Sequence, residues 1–203
     1  MKLYYSPGAC SLSPHIALLE AGLPYDLVKV DVRAKKLENG DDYLKVNPKG
    51  QVPALQLDSG ELVTEGPVIV QMIADKAGKG LAPARDSAER YKLLEWLNFV
   101  GTELHKNFSP LFQPVIPDDV KTFFRDRLMT KFKYLDGELA GRDHLMGKQF
   151  TVADGYLFTM LSWADRMKFD LSAMPNLLAY KARVAARPTV QEALTKEGLL
   201  KAA

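Results

Sequence analysis

Cysteine is nearly absent: Cys10 is the one thiol in 203 residues. No internal disulfide can close, so the chain relies on its core rather than on covalent staples and suits a reducing cytoplasm. Long apolar runs are missing as well. None exceeds four residues, against about 20 for a membrane-spanning helix and about 7–15 for the core of a secretory signal. Neither membrane insertion nor signal-directed secretion is expected. An excess of one charge is missing too, with 27 Lys and Arg against 25 Asp and Glu. Residues 1–80 hold 9 basic and 10 acidic side chains, and neither half carries the basic footprint of a nucleic-acid binder. Histidine is scarce, and its three copies have no metal-ligand spacing, so no metal is expected. What is present is ordinary globular material. At 47% hydrophobic and 26% charged, the chain has enough apolar surface to offset its ordering entropy, and its length suits one to two domains.

The chain changes character near residue 80. Before it, short β-type runs alternate with short helical ones, as in layered α/β packing. Lys2–Tyr5 reads as a strand and Ser11–Ala21 as a helix, with Ser11 and Ser13 as capping candidates, Pro14 in its first turn and Gly22 past its end. Tyr25–Val32 reads as a second strand, followed by a short helical turn through Leu44 and Val46. Val52–Leu57 and Glu61–Val63 read as a hairpin turning at Asp58-Ser59-Gly60, because glycine supplies the positive φ such turns need. Thr64 is expected to cap a helix that carries Val68, Ile69, Met72 and Ile73 and ends before Gly78. Gly78–Pro83 is the linker candidate. Beyond it the pattern is helical throughout: Ala88–Phe112, Asp119–Leu139, Asp154–Met167, Asn176–Ala186 and Val190–Thr195. Two domains are expected, α/β over 1–80 and all-helical over 86–203.

Chemistry concentrates in few places. Cys10 follows the first strand at the start of the first helix, where unpaired N–H groups and the positive dipole end favour a thiolate. No second cysteine is present for a dithiol cycle, so redox work would need an external thiol. Asn98, Thr102 and His105 step by 4 and 3 and form a polar stripe on the long helix. Glu65 and the Gly66 N–H stand at another helix start, where an anion or a charged ligand end is accommodated. Thr151 and Asp154 have capping-box spacing and read as structural. His15 and His144 read as surface or capping histidines.

Tyr5-Ser6-Pro7-Gly8-Ala9-Cys10-Ser11, Asn47-Pro48-Lys49-Gly50-Gln51-Val52-Pro53-Ala54-Leu55, Thr64-Glu65-Gly66, Glu95-Trp96-Leu97-Asn98, Thr102-Glu103-Leu104-His105-Lys106 and Phe150-Thr151-Val152-Ala153-Asp154 together resemble a bacterial beta-class glutathione transferase, end to end. The resemblance implies a thioredoxin-like first domain, an all-helical second one, a cleft between them and a homodimer. It implies that Val52, ahead of a cis Pro53, pairs its main chain with the cysteinyl part of glutathione as an added strand would. Glu65 and Gly66 would hold the γ-glutamyl end and Lys35 the glycyl carboxylate. Asn98, Glu103 and His105 match helical-domain contacts of that family. Cys10, His105 and Tyr5 are the candidate groups at the sulfur, and Ala9, Ser11, Gln51, Thr102 and Lys106 are counted with the peptide-binding residues. Phe108, Phe112 and Trp163 would line a pocket for small apolar electrophiles.

The activity implied is conjugation, with glutathione as co-substrate, no cofactor and no metal, and with mixed-disulfide exchange or peroxide reduction as a side reaction. Two other readings stand beside it: a monothiol glutaredoxin-like reductase using Cys10, and a non-catalytic partner-binding protein on the same fold.

Overall fold

A computed structural model of the chain describes residues 1–200. By their contacts these residues fall into two units, one running from Met1 to Ala82 and rejoined from Arg187 onward, the other from Pro83 to Ala186.

The first unit is built on a five-stranded sheet. Its strands are β1 (Lys2–Tyr5), β2 (Asp26–Asp31), β3 (Lys36–Leu37), β4 (Ala54–Gln56) and β5 (Leu62–Thr64), ordered β3-β2-β1-β4-β5. β1 runs parallel to β2, with Leu3 opposite Leu27, and antiparallel to β4, with Leu3 opposite Leu55. This thioredoxin-like sheet carries α1 (Leu12–Ala21) and α2 (Gly66–Ala77), which pack on each other. Leu3, Ile16, Leu18, Leu55, Ile69 and Ile73 are buried there. A second cluster gathers Tyr4, Val30, Tyr43 and Ala54.

Several local expectations are corrected. Ser11 precedes α1 but does not cap it; its hydroxyl instead bridges the N–H and C=O of Ser6, which ties the loop to the helix start. Thr64 is the last residue of β5, and α2 begins at Gly66 without a side-chain cap. The two-residue β3 was not foreseen, being too short for any periodicity to register. The helical domain expected to reach residue 203 ends earlier by contacts. α8 (Pro188–Lys196) packs on α1, where Arg187 forms a two-pronged ion pair with Glu20, Nε to Oε1 at 2.6 Å and Nη2 to Oε2 at 2.8 Å.

His15 is likewise no surface or capping residue. It is fully buried, with Nδ1 2.8 Å from Glu197 Oε1 and Nε2 3.0 Å from the Tyr25 hydroxyl. An imidazole can be buried because both nitrogens find partners.

The second unit is helical. α3 (Ala88–Phe99) continues through a π-helical turn (Val100–His105), the short α4 (Lys106–Phe108) and a 3₁₀ turn (Ser109–Phe112). α5 (Asp118–Glu138), α6 (Val152–Arg166) and α7 (Pro175–Ala185) complete it. The capping box at Thr151 and Asp154 forms as expected. Asp154 is fully buried; it accepts from the Leu145 N–H at 2.9 Å, the Thr151 N–H at 2.8 Å and the Tyr180 hydroxyl at 3.0 Å. Burial pushes its carboxyl above the usual range while the two N–H bonds and His144 oppose that. His144 is buried with Nδ1 3.9 Å from Asp154, which corrects its surface reading.

Candidate active site

Cys10 sits at the mouth of α1. The chain leaves β1 at Tyr5, turns through Gly8 at φ 65° and enters the helix after Ser11. A left-handed residue at this turn favours glycine. The turn is anchored from the far end of the chain, where Glu197 Oε2 accepts the Gly8 N–H at 2.8 Å. The Cys10 thiol is half-buried and donates to the Val52 carbonyl at 3.1 Å. Val52–Pro53 is a cis peptide, as the resemblance implied. The preceding loop is held by Tyr43 and Asn47, both donating to the Gln51 carbonyl at 2.8 Å. Aromatic packing of Tyr43 against Tyr4, centroids 5.6 Å apart, fixes that support.

The other first-unit candidates spread around this point. Lys35 has φ 57° and its ammonium donates to the Gly50 carbonyl at 2.8 Å. Glu65 has φ 70°, is exposed, and meets Lys49 Nζ at 2.8 Å, while Lys49 also donates to the Thr64 hydroxyl at 2.9 Å. Glu65's carbonyl takes the N–H groups of Val68 and Ile69 and Pro67 has none. Gly66 is therefore the N–H at the first turn of α2 that is placed to meet an anion. Ala9 is half-buried and Gln51 exposed.

One first-unit expectation changes. Ser11 is fully buried, so it shapes the loop instead of touching a peptide. Tyr5 is largely buried, and its hydroxyl is pushed up by burial and by the nearby carboxylates of Glu197 and Glu38. It stays protonated at neutral pH and keeps a hydrogen to donate.

In the second unit, Asn98 and Lys106 are exposed and Thr102 donates to the Asn98 carbonyl at 3.0 Å. Glu103 is held by Lys131 at 2.8 Å with Arg127 at 4.0 Å. The hydrogen bond from Lys131 keeps its carboxyl below the usual range. His105 is half-buried at the end of the π turn. Its Nδ1 lies 2.6 Å from the Tyr156 hydroxyl, and Trp163 meets its ring edge-on at 5.1 Å.

The electrophile trio divides. Phe112 is half-buried against Trp163, centroids 5.0 Å apart. Phe108 is fully buried among Phe132, Trp163 and Phe169, a core ring out of an electrophile's reach. Trp163 is mostly buried, so at most one edge could meet a ligand. Sequence reasoning missed Glu197, Lys49 and Tyr156. Lys49 stood inside a quoted motif, whereas nothing local could tie Glu197 to Gly8, 189 residues away.

Among the described residues, no group of three or more His, Cys, Asp or Glu is placed to hold a metal ion, and no helix is long and apolar enough to cross a membrane.

Comparison with known proteins agrees in both units. Residues 8–76 match the family model described as "Glutathione S-transferase, N-terminal domain", and residues 102–188 match "Glutathione S-transferase, C-terminal domain". A curated relative, glutathione S-transferase GstA of Escherichia coli O157:H7, is 51% identical over 98% of this chain and 100% of its own. A sphingomonad glutathione S-transferase, solved in complex with glutathione, is 51% identical with a TM-score of 0.95, covering 98% of this chain and 100% of that one. The beta-class enzyme of Sphingomonas chungbukensis is also 51% identical, with a TM-score of 0.96 over the same shares.

Proposed function

Because the chain belongs to the bacterial beta class of glutathione transferases, we propose that it ionises the thiol of glutathione beside Cys10 and directs it at small apolar electrophiles. The observation that carries this is the 3.1 Å bond between the Cys10 thiol and the Val52 carbonyl. A peptide paired on the Val52 main chain like an added strand brings its own cysteine to the place Cys10 occupies. The sphingomonad relative was solved with glutathione, which supports the choice of peptide. Glu65 takes the γ-glutamyl ammonium, the Gly66 N–H its carboxylate and Lys35 the glycyl carboxylate; His105 is the second group assigned to the sulfur.

Energetics make the reaction feasible without a strong base. A thiol of pKa about 8.5 must drop by about 2 units to be mostly ionised at pH 7, which requires roughly 2.7 kcal/mol. A helix start contributes up to about 1–2 kcal/mol and a hydrogen bond to charge about 1.5–3 kcal/mol. The thiolate then attacks an electrophilic carbon; a C–S bond forms and a halide leaves, or an epoxide C–O bond opens.

Mixed-disulfide exchange is the side activity. The Cys10 thiolate attacks a glutathione disulfide, one S–S bond replaces another and one glutathione thiolate departs. A half-buried thiol at a helix start suits that step. Detoxification, a cytoplasmic location and a homodimer complete the reading. The dimer reading draws on a cavity of about 380 Å³ on the helical unit where the aromatic Trp96, Phe99 and Tyr134 stand among the charged Lys92, Glu95, Glu138 and Arg142, a mix of aromatic and charged groups that suits a protein interface.

Isothermal titration with glutathione and chlorodinitrobenzene conjugation by wild type and Cys10→Ala test the proposal. Binding and turnover in the wild type are expected. Near-total loss in Cys10→Ala makes the cysteine essential, retained conjugation makes it auxiliary, and absence of glutathione binding in the wild type overturns the proposal.

A further inference from the structure

His105 is held by more than its place on a helix. The π turn over Val100–His105 closes each ring with one extra residue, which shifts the residues after it around the helix axis, a distortion that often marks functional sites. The imidazole ends between two rings, Tyr156 at 5.8 Å and 86° and Trp163 at 5.1 Å and 76°. Tyr156 is itself buried, 3% exposed, so its hydroxyl is not satisfied by bulk water. That hydroxyl lies 2.6 Å from His105 Nδ1.

We infer that Tyr156 is the positioning residue of His105, fixing which ring nitrogen carries the proton. A phenol, pKa about 10, and a neutral imidazole, whose conjugate acid has pKa about 6.5, share this bond with the phenol as donor. Nδ1 then accepts, and the proton of the neutral ring sits on Nε2, the nitrogen the tyrosine does not use. An Nε2–H can donate to a sulfur anion. The opposite tautomer would present a lone pair instead, which cannot donate to a sulfur anion. The second link of a histidine selects the tautomer in the same way when imidazoles bind metals or act as bases. The kinetic part of this inference rests on His105 serving the glutathione sulfur.

The test has a spectroscopic and a kinetic arm. In the wild type, nitrogen-15 correlation spectra of His105 above its titration are expected to show the Nε2–H form; an Nδ1–H form overturns the inference without any substrate present. Tyr156→Phe keeps the ring and removes the hydroxyl. It is expected to mix the two tautomers and to lower kcat/KM for chlorodinitrobenzene about 5- to 30-fold, less than the roughly 10- to 150-fold worth of a full hydrogen bond to a charged group because the imidazole itself remains. KM for glutathione should stay within about twofold, because the peptide's own anchors are elsewhere. In a His105→Ala background the same substitution should change nothing further. A second fall of equal size there shows that Tyr156 acts by packing and overturns the inference. Wild-type kcat/KM in His105→Ala alone overturns the role of His105 in the reaction while leaving the tautomer assignment standing.

Discussion

Two histidine–tyrosine pairs occur in this chain, and they are built differently. His15 is fully buried, with one nitrogen on the Tyr25 hydroxyl and the other on Glu197. His105 is half-buried, and Tyr156 engages its Nδ1. The first ring is closed on itself by protein partners and serves as a strut beneath the loop that carries Cys10, since the same Glu197 also receives the Gly8 N–H. The second has one nitrogen set by the protein and a face near the surface, which suits a group that must meet something from outside. Identical residue types take on architecture or chemistry according to how deeply the fold buries them and which partners hold them.

The strut should give the largest effect. Glu197→Ala strands a buried imidazole nitrogen and a backbone N–H, at roughly 2–5 kcal/mol together. For a chain of this length that corresponds to a fall in Tm of roughly 5–20 °C, measured by calorimetry, and thermal loss of conjugation should track it. A Tm within about 2 °C of wild type would show that the loop needs no such support.

His105→Ala breaks the comparison from the other side. Removing the donor proposed for the charged sulfur should lower kcat/KM roughly 10- to 100-fold, while depriving the buried Tyr156 hydroxyl of the His105 ring should cost about 1–3 kcal/mol of stability. Steady-state kinetics and a melting curve on the same preparation separate the two. A large Tm loss with modest kinetic change would make His105 a strut like His15.

Such distinctions mark the limit of sequence reading here. The elements were legible because their residues are local: Lys2–Tyr5 and Ala54–Gln56 pair as strands, and the helix over 88–112 shows in its apolar spacing. The positions of Cys10 and Val52 were legible because each stands in one of the two quoted motifs, Tyr5–Ser11 and Asn47–Leu55. Burial at a single position was not. Phe108 and Phe112 look alike in sequence, four residues apart, yet one is wholly buried and the other is not, since a turn of 3₁₀ helix follows Phe108 and resets which face points inward. The partnership of His15 with Glu197 joins opposite ends of the chain and leaves no periodic trace.

Smaller effects are expected where both members of a pair are open to water. Lys49 occupies Glu65, the residue assigned to the incoming ammonium. Lys49→Met removes the competitor, and KM for glutathione should fall about 2- to 5-fold, the worth of an exposed ion pair. A rise in KM instead would show that Lys49 itself meets the peptide.

The smallest effect belongs to Glu103, whose carboxyl is held below its usual range by the Lys131 hydrogen bond, with Lys131 and Arg127 charge adding and burial opposing. A lowered folded value means that the pair stabilises the native state above the unfolded value of about 4.3 and loses that contribution as pH falls through the folded value. At pH 7 the wild type should therefore exceed Lys131→Met by about 0.2–1 kcal/mol in urea unfolding, less at high salt. Once the pH is below the folded value of Glu103 the two curves should converge, because a protonated Glu103 has no charge to offer. A gap that persists there would trace the effect to packing of the Lys131 hydrocarbon stem and not to its pairing with Glu103.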